Sequence, residues 1–488
     1  MLCGSHGRIL ANVQALYAAI SPGSALMLVP FHLTPFAETA MHPLFTPRES
    51  LRRSPTGVAR MARLWPALVL FGLLAGCQSP VRLMPTPVGF TKGEADPFEK
   101  AGPALQTTEV PVLYATNRLV LIEKPEPLHT ILPSQDLRMG IAHVRVGDET
   151  LDWETLHRMS TSDDPGERPI VHLESLEQMA VLKADEEVKN SAEAQAFFAM
   201  VNKALAASHN PELLIYVHGS NNTVPRAAAQ AAQFRHFMGR RMVVISFMWP
   251  SAGSLLRYLT DVNNAAATVD PFARLVELLA ANTNASKIDV LAYSAGAQVT
   301  SPALAQLGAP RPGETRDAQR ARLRLGQIYF AAPDIDTRRF VNELGTYIDL
   351  TNRVSVAANL NDSVLRFAAI VGRASRAGRP NLSELSTEQS AFLVDASQKM
   401  QFDIIKVDPN DIPNLPESSH AFWYDDPWVS GDLVTQFLLN AAPQPRGLDS
   451  QRTAAGAQYW TFPADFYDRV LRLVGPQSEM QRRGRARP

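Results

Sequence analysis

The chain has 488 residues, of which 45% are hydrophobic and 19% charged, and its formal net charge at pH 7 is −1. This apolar content with so little net charge excludes a chain that is disordered throughout, and it leaves no basic surplus for binding nucleic acid. The two cysteines, Cys3 and Cys77, are too few for a disulfide scaffold or a cysteine-rich zinc site. At roughly 150 residues per domain, the length allows two or three domains.

The N-terminal region has the layout of a secretory signal segment. Arg60 and Arg63 precede an apolar run at 64–74, which is too short to span a bilayer as a helix, and small residues follow it. The sequence Leu-Ala-Gly-Cys that ends at Cys77 resembles the lipobox of bacterial lipoproteins, in which the cysteine is acylated and becomes the mature N-terminus. The alternative is a buried apolar helix with a chance cysteine.

This signal segment predicts how the chain is divided. A signal peptide has only a few residues before its apolar run, so we expect translation to start at Met61 and cleavage to fall before Cys77. Gln78 differs from the aspartate that retains lipoproteins in the inner membrane, which favours a Gram-negative outer membrane, facing the periplasm. The expected parts are an upstream segment with the signal peptide (1–76), a Pro- and Gly-rich tether (77–109), a folded domain (110–445, core about 210–440) and a C-terminal extension with a disordered end (446–488).

Along the domain, apolar runs and helical segments alternate. Strand-like runs at 110–115 and 139–146 flank a proline-rich stretch, 123–136, that is predicted as loop, and 184–208 has a helical composition. The next predicted strands are 213–217, 242–247, 288–293, 325–331, 353–358 and 402–406, and the predicted helices are 225–240, 264–283, 295–307 and 428–440. This alternation predicts an α/β fold with a mostly parallel central sheet and helices on both faces.

Ser294 lies between a predicted buried strand and a predicted helix, in the pentapeptide AYSAG at 292–296. A nucleophile elbow needs that context, because a sharp strand–turn–helix exposes the serine hydroxyl and requires small residues two positions before and after it. Ala292 stands where glycine is usual and still meets the steric demand. The alternative is that Ser294 merely caps the helix.

The histidines and acids after Ser294 supply candidate partners. Of the 11 histidines only His420 follows Ser294, and in a Ser–acid–His chain order it is the candidate general base. A surface loop histidine is the alternative. Asp362 follows the strand at 353–358, and Asp334 and Asp336 follow the strand at 325–331, so any of them could orient the histidine. We favour Asp362, keep Asp334 as the alternative acid, and expect Asp336 to cap a helix.

Stabilising the negative charge that develops on an attacked carbonyl needs two backbone N–H groups. Ala295 would supply one. The other is expected from the loop that begins with His-Gly at 218–219, either from Ser220 or from Asn221. His218 precedes the serine and is expected to be structural.

These motifs resemble a bacterial group of α/β-hydrolase proteins in the esterase/lipase superfamily whose functions are largely unassigned. The resemblance rests on LYATNR, YVHGSNNT, FMWPSAGSLLRYLTD, LAYSAG, YFAAPDID and the NLND segment, and it covers about 110–440. It implies the α/β-hydrolase fold, with Ser294 as nucleophile, Asp362 as acid and His420 as base. The group usually has His before the serine, where this chain has Tyr293.

The expected function is that of a serine esterase or lipase that works through an acyl-enzyme, without a metal or organic cofactor. Its expected partners are a small-molecule or lipid ester and, through lipid on Cys77, a membrane, with no nucleic acid. A thioesterase or amidase would use the same groups. A non-catalytic envelope scaffold that keeps the fold is the alternative. Residues 250–263, beside the predicted site, are a candidate lid.

Overall fold

The computed structural model describes residues 79–92, 95–122, 127–163, 166–208 and 210–474. The predicted signal segment and Cys77 lie outside these residues. Within the described part of the chain, no helix has the length and apolar character needed to cross a membrane.

The strands of the described residues form one eleven-stranded sheet. Six of its strands, β4 to β9, are almost entirely buried apolar runs, as expected for strands covered by helices on both faces. In chain order the strands are β1 (Val112–Val120), β2 (His129–Val146), β3 (Val171–Leu182), β4 (Glu212–Val217), β5 (Val243–Phe247), β6 (Lys287–Tyr293), β7 (Leu325–Ala331), β8 (Arg353–Ala358), β9 (Phe402–Lys406), β10 (Asp449–Arg452) and β11 (Gln458–Thr461).

The strand order is β10-β11-β9-β8-β7-β6-β4-β5-β1-β2-β3. Neighbours from β11 to β1 pair parallel, whereas β1–β2, β2–β3 and β10–β11 pair antiparallel. The predicted α/β class with a mostly parallel sheet is therefore confirmed. The order reverses around β4, so the carboxyl ends of β4 and β6 border the crevice in which such sheets bind ligands.

Helices cover both faces of the sheet. One face packs against α2, α4, α5, α7 and α9, and the other packs mainly against α3 and α11. The helices are α1 (Trp153–Ser160), α2 (Ala192–Ala207), α3 (Val224–Phe237), α4 (Tyr258–Asn282), α5 (Gly296–Gly308), α6 (Arg316–Leu323), α7 (Thr337–Tyr347), α8 (Ser363–Gly372), α9 (Thr387–Lys399), α10 (Phe422–Asp425) and α11 (Pro427–Leu439). As predicted, Asp336 caps a helix, α7, by accepting from the Arg339 N–H.

The segment expected to be a tether is part of the fold, so that prediction is wrong for the described residues before 110. Leu83, Met84, Val88 and Phe90 are buried against the α3–α11 face. Their backbone is also held, since Met84 N donates to Gln233 Oε1 and Val88 N to Pro427 O, at 3.0 and 2.9 Å. These contacts are made with distant elements, so they leave no local periodicity.

Three further expectations need correction. Residues 129–136, predicted as loop, belong to the long strand β2, and β3 was not predicted. The C-terminal extension continues the fold as far as residue 474, because β10 and β11 extend the sheet and a helical stretch at 466–474 follows. Buried Phe462 and Phe466 fix this stretch against the α11 side. The predicted disordered end, 475–488, lies outside the described residues.

Candidate active site

Ser294 occupies the turn between β6 and α5. Its φ is +51°, a left-handed conformation that is unusual for a side chain other than glycine and that marks a tight, strained turn. The turn is fixed on both sides: Ser294 N donates to Ala331 O at 2.9 Å, and Asp334 N donates to Ser294 O at 3.0 Å. This is the geometry of the predicted elbow.

The small neighbours of the serine are sterically required. A Cβ on Gly296 would lie 2.5 Å from Val217 O, and a Cβ on Gly219 would lie 2.9 Å from the Cβ of Ser294. The helix and the loop after β4 therefore approach each other at van der Waals distance only because both positions are glycine.

The three residues predicted as nucleophile, acid and base come together. His420 Nε2 lies 2.8 Å from Ser294 Oγ, and His420 Nδ1 lies 2.6 Å from Asp362 Oδ2. A carboxylate can only accept, so the proton of the neutral ring resides on Nδ1, and Nε2 presents its lone pair to the serine hydroxyl. The arrangement can deprotonate Ser294 when it attacks an electrophile, while Asp362 stabilises the resulting imidazolium.

Asp362 is held in place by its helix. It is fully buried and caps α8, because its Oδ1 accepts from Leu365 N at 2.9 Å. Its two carboxylate oxygens therefore have separate partners, the helix terminus and His420. The next residue pair along the edge also helps, since Asn359 donates to Ser419 O at 2.9 Å and joins the strand end to the loop that carries His420.

The alternative acid, Asp334, has different partners. Tyr258 Oη donates to its Oδ2 at 2.8 Å, and the Arg376 guanidinium lies 3.2 Å from its Oδ1. Burial raises the pKa of Asp334, against the opposing effect of Arg376. The carboxylate lies near His420 without contacting it, so of the two predicted candidates only Asp362 is hydrogen-bonded to the ring.

The loop after β4 supplies the second candidate oxyanion donor. Asn221 has φ +55°, and its backbone N–H donates to Asp261 Oδ2 at 3.0 Å. That N–H is therefore already engaged, which corrects the assignment of Asn221. Among the described residues no acceptor binds the backbone N–H of Ser220 or of Ala295, and these two remain the candidate pair.

Two buried charges that the sequence analysis did not single out hold this loop. Asp261 also accepts from Ser251 Oγ and Ala252 N, and Arg118 donates to Asn222 O and Ser251 O. Both residues lie in segments quoted for the resemblance, RYLTD and LYATNR, but nothing in a single sequence indicates that they meet. Residues 250–263 thus form a wall fastened to the oxyanion loop.

His218 is structural, as expected. Its ring stacks on Trp249 at 5.2 Å between centroids, its Nδ1 lies 2.8 Å from Gly219 O, and it is fully buried. Burial, with the nearby charge of Arg118, lowers the pKa of His218 to about 3, so the ring is neutral at physiological pH. No cluster of three or more potential metal ligands occurs in the described ranges.

Tyr293, where the resembled group has histidine, is an aromatic wall of the site. Its ring lies 5.3 Å from that of His420 and 5.9 Å from those of Trp423 and Tyr424. The stack limits how the His420 ring can move, so Tyr293 supports the base from the side opposite Asp362.

Comparison with known proteins agrees with this geometry. Residues 192–419 match the family model described as an alpha/beta hydrolase of unknown function (DUF900). The matched span contains Ser294 and Asp362 and ends one residue before His420. Together with the sheet, it shows the α/β-hydrolase fold. No curated protein matches the chain significantly.

Proposed function

We propose that this protein is a serine hydrolase that cleaves carboxylic esters through an acyl-enzyme. The observation that carries the proposal is the continuous hydrogen-bonded series from Asp362 through His420 to Ser294 at the end of β6, with distances of 2.6 and 2.8 Å. A structural serine at a helix start needs neither a histidine on its hydroxyl nor a carboxylate behind that histidine.

The proposed reaction has two halves. Ser294 Oγ attacks the ester carbonyl carbon while its proton passes to His420 Nε2, and the backbone N–H groups of Ala295 and Ser220 receive the oxyanion. Collapse breaks the ester C–O bond, and His420 protonates the departing alcohol. Water then attacks the acyl-enzyme, giving its proton to His420, and the acid product leaves as Ser294 regains its proton.

Hydrolysis of a panel of p-nitrophenyl esters by the full chain tests this proposal. The wild type is expected to turn over at least one chain length, and Ser294→Ala and His420→Ala are expected to lose 10³-fold or more in kcat/KM. Asp336→Asn serves as a control, because its side chain caps α7 and does not contact the three residues. Inactive wild type, or variants as active as wild type, would favour the scaffold alternative.

We further propose that the protein is anchored in the outer membrane of a Gram-negative bacterium by lipid on Cys77, facing the periplasm. The support is the lipobox sequence after the apolar run. Growth with an alkyne analogue of palmitate is expected to label the wild type and to leave Cys77→Ser unlabelled. Equal labelling of both, or of neither, would contradict the anchor.

A further inference from the structure

Five large apolar side chains are exposed on two segments at the carboxyl edge of the sheet. Leu256 is 87% exposed, Ile370 72%, Leu259 64%, Phe367 55% and Leu360 49%. We call these five residues the apolar rim. Contiguous apolar groups left in water at this level mark a binding surface more often than a chance arrangement.

The apolar rim lies directly beside the proposed catalytic residues. Tyr258, which lies between Leu256 and Leu259 in the chain, donates to Asp334, and its ring lies 6.4 Å from Phe367 on α8. The two segments therefore meet at this ring pair. Helix α8 begins at Asp362, and Leu360 precedes it by two residues. Whatever covers the rim also covers the approach to Ser294.

The charges of these two segments have one sign. Residues 252–260 and 359–373 expose Arg257, Arg366 and Arg373, and their acidic residue, Asp362, is fully buried. Among the described residues, none of the three arginine side chains makes an ion pair. An apolar surface bordered by unpaired cations complements an anionic lipid surface, because lipid provides hydrocarbon and negative head groups together.

The β1–β2 turn adds exposed apolar residues at the same edge. Strand β1 pairs with β5 only as far as Phe247, and it continues five residues beyond Ala115, a further ~16 Å. Beyond it Leu121, Ile122 and Leu128 are about half exposed. The turn therefore extends past the edge on which the apolar rim lies.

The described chain also begins at this edge. Arg226, in the first turn of α3, donates to Ser79 O at 2.9 Å and lies against Tyr424, which packs on Tyr293 beside His420. Cys77 is two residues earlier, a reach of at most ~7 Å. Lipid attached there would direct the active-site edge towards the membrane.

We propose that the apolar rim docks on an anionic lipid bilayer and that the substrate is an ester of a lipid held in that bilayer. The second clause rests on the proposed hydrolase function, whereas the first does not. Docking replaces water at the rim by hydrocarbon and places the arginines at the head groups, so an ester a few ångströms deep is presented at the site without leaving the lipid.

Site-specific fluorescence on the full chain tests docking. With Cys3→Ser and Cys77→Ser removing the native thiols, a polarity-sensitive dye is attached at Leu256→Cys or Ile370→Cys. Ala281→Cys is the matched control, because it is exposed at the opposite end of α4, just before β6 begins. Phosphatidylglycerol-containing vesicles are expected to shift the emission of both rim dyes to the blue and to leave the control dye unchanged. Phosphatidylcholine vesicles are expected to give a much weaker response.

The same experiment identifies the wrong occupants. If the protein sediments with vesicles while the rim dyes stay unchanged, the apolar run at 64–74 makes the contact and docking is overturned. If the rim dyes shift with protein concentration in the absence of lipid, the rim joins two copies of the chain, which also overturns docking. Arg257→Gln and Arg366→Gln are each expected to weaken vesicle binding about fivefold, and unchanged binding would contradict the role of charge.

Hydrolysis separates docking from the proposed function. Leu256→Ser with Ile370→Ser is expected to lose tenfold or more on a vesicle-embedded ester and to keep kcat/KM within twofold on a water-soluble short ester. If the rim dyes respond but no ester is cleaved by the wild type, the hydrolase function fails and docking stands. If soluble esters are cleaved and the dyes do not respond, docking fails and the hydrolase function stands.

Discussion

Asp362 and Asp334 predict opposite consequences when each is changed to asparagine. Asp362 Oδ2 lies 2.6 Å from His420 Nδ1, whereas Asp334 is paired with Arg376 and Tyr258. The first change should remove activity and keep the fold, and the second should weaken the fold and keep most activity. The pair of variants therefore distinguishes the acid from a structural carboxylate.

For Asp362→Asn the loss can be estimated from the charge pair. Two unit charges about 4 Å apart interact by about 4 kcal/mol at an effective dielectric constant of about 20, which corresponds to about 10³ in rate when the charge on His420 develops. The asparagine amide also favours the wrong tautomer, with the proton on Nε2, so we expect a loss of 10³ to 10⁴ in kcat/KM. The cap of α8 survives, because asparagine retains an oxygen for Leu365 N.

For Asp334→Asn we expect a loss below about tenfold in kcat/KM. The carboxylate does not contact His420, and the Arg376 charge opposes its field. Removing the charge leaves Arg376 buried without its partner, which should lower the free energy of unfolding by about 3 kcal/mol or more. Kinetics with p-nitrophenyl acetate and urea unfolding on both variants provide the test. A loss of 10³ or more in Asp334→Asn, with Asp362→Asn nearly unimpaired, would refute the assignment.

Three other perturbations follow from the same geometry. Gly296→Ala would place a Cβ 2.5 Å from Val217 O, so we expect urea unfolding to show a loss of about 1–3 kcal/mol and kcat/KM to fall more than tenfold; wild-type values would contradict the tight turn. Asp261→Ala frees the backbone that carries the oxyanion donor, so kcat should fall about 10²-fold with little change in KM, and a change in KM alone would argue against it. Burial raises the pKa of Asp289 to about 8, so the folded state holds a proton that the unfolded state releases near pH 4. The wild type should therefore lose up to about 5 kcal/mol of stability between pH 4 and 9, whereas Asp289→Asn should lose much less, and parallel profiles of the two proteins would disprove it.

The central strands and the proposed catalytic residues could be predicted from the sequence because their signals are local. Strands β4 to β9 are continuous apolar runs, and Ser294 lies between such a run and a helix, flanked by small residues. Chain order then selected His420, the only histidine that follows. These features need no knowledge of distant contacts.

The errors have the opposite origin. The apolar residues between 83 and 98 are separated by proline and glycine, and they are buried through contacts with α3 and α11, which no window of local sequence contains. Strand β3 exposes much of its length and alternates poorly, with a burial pattern that reflects its place at the sheet edge.

The choice between candidate donors and acids also depended on tertiary contacts. Ser220 and Asn221 are equivalent in the sequence, and only the reach of Asp261 across forty positions distinguishes their N–H groups. In the same way Asp334 and Asp362 each follow a strand at the same edge, and it is the buried Arg376 that occupies one of them.

Labelling of the full chain with a fluorophosphonate tests the central claim, that His420 activates Ser294, most directly. The account predicts that one phosphonyl group is added to wild type, that mass spectrometry places it on Ser294, and that labelling is abolished in Ser294→Ala and slowed at least 10³-fold in His420→Ala. Folded wild type that stays unlabelled, or a label on another serine, would contradict the account.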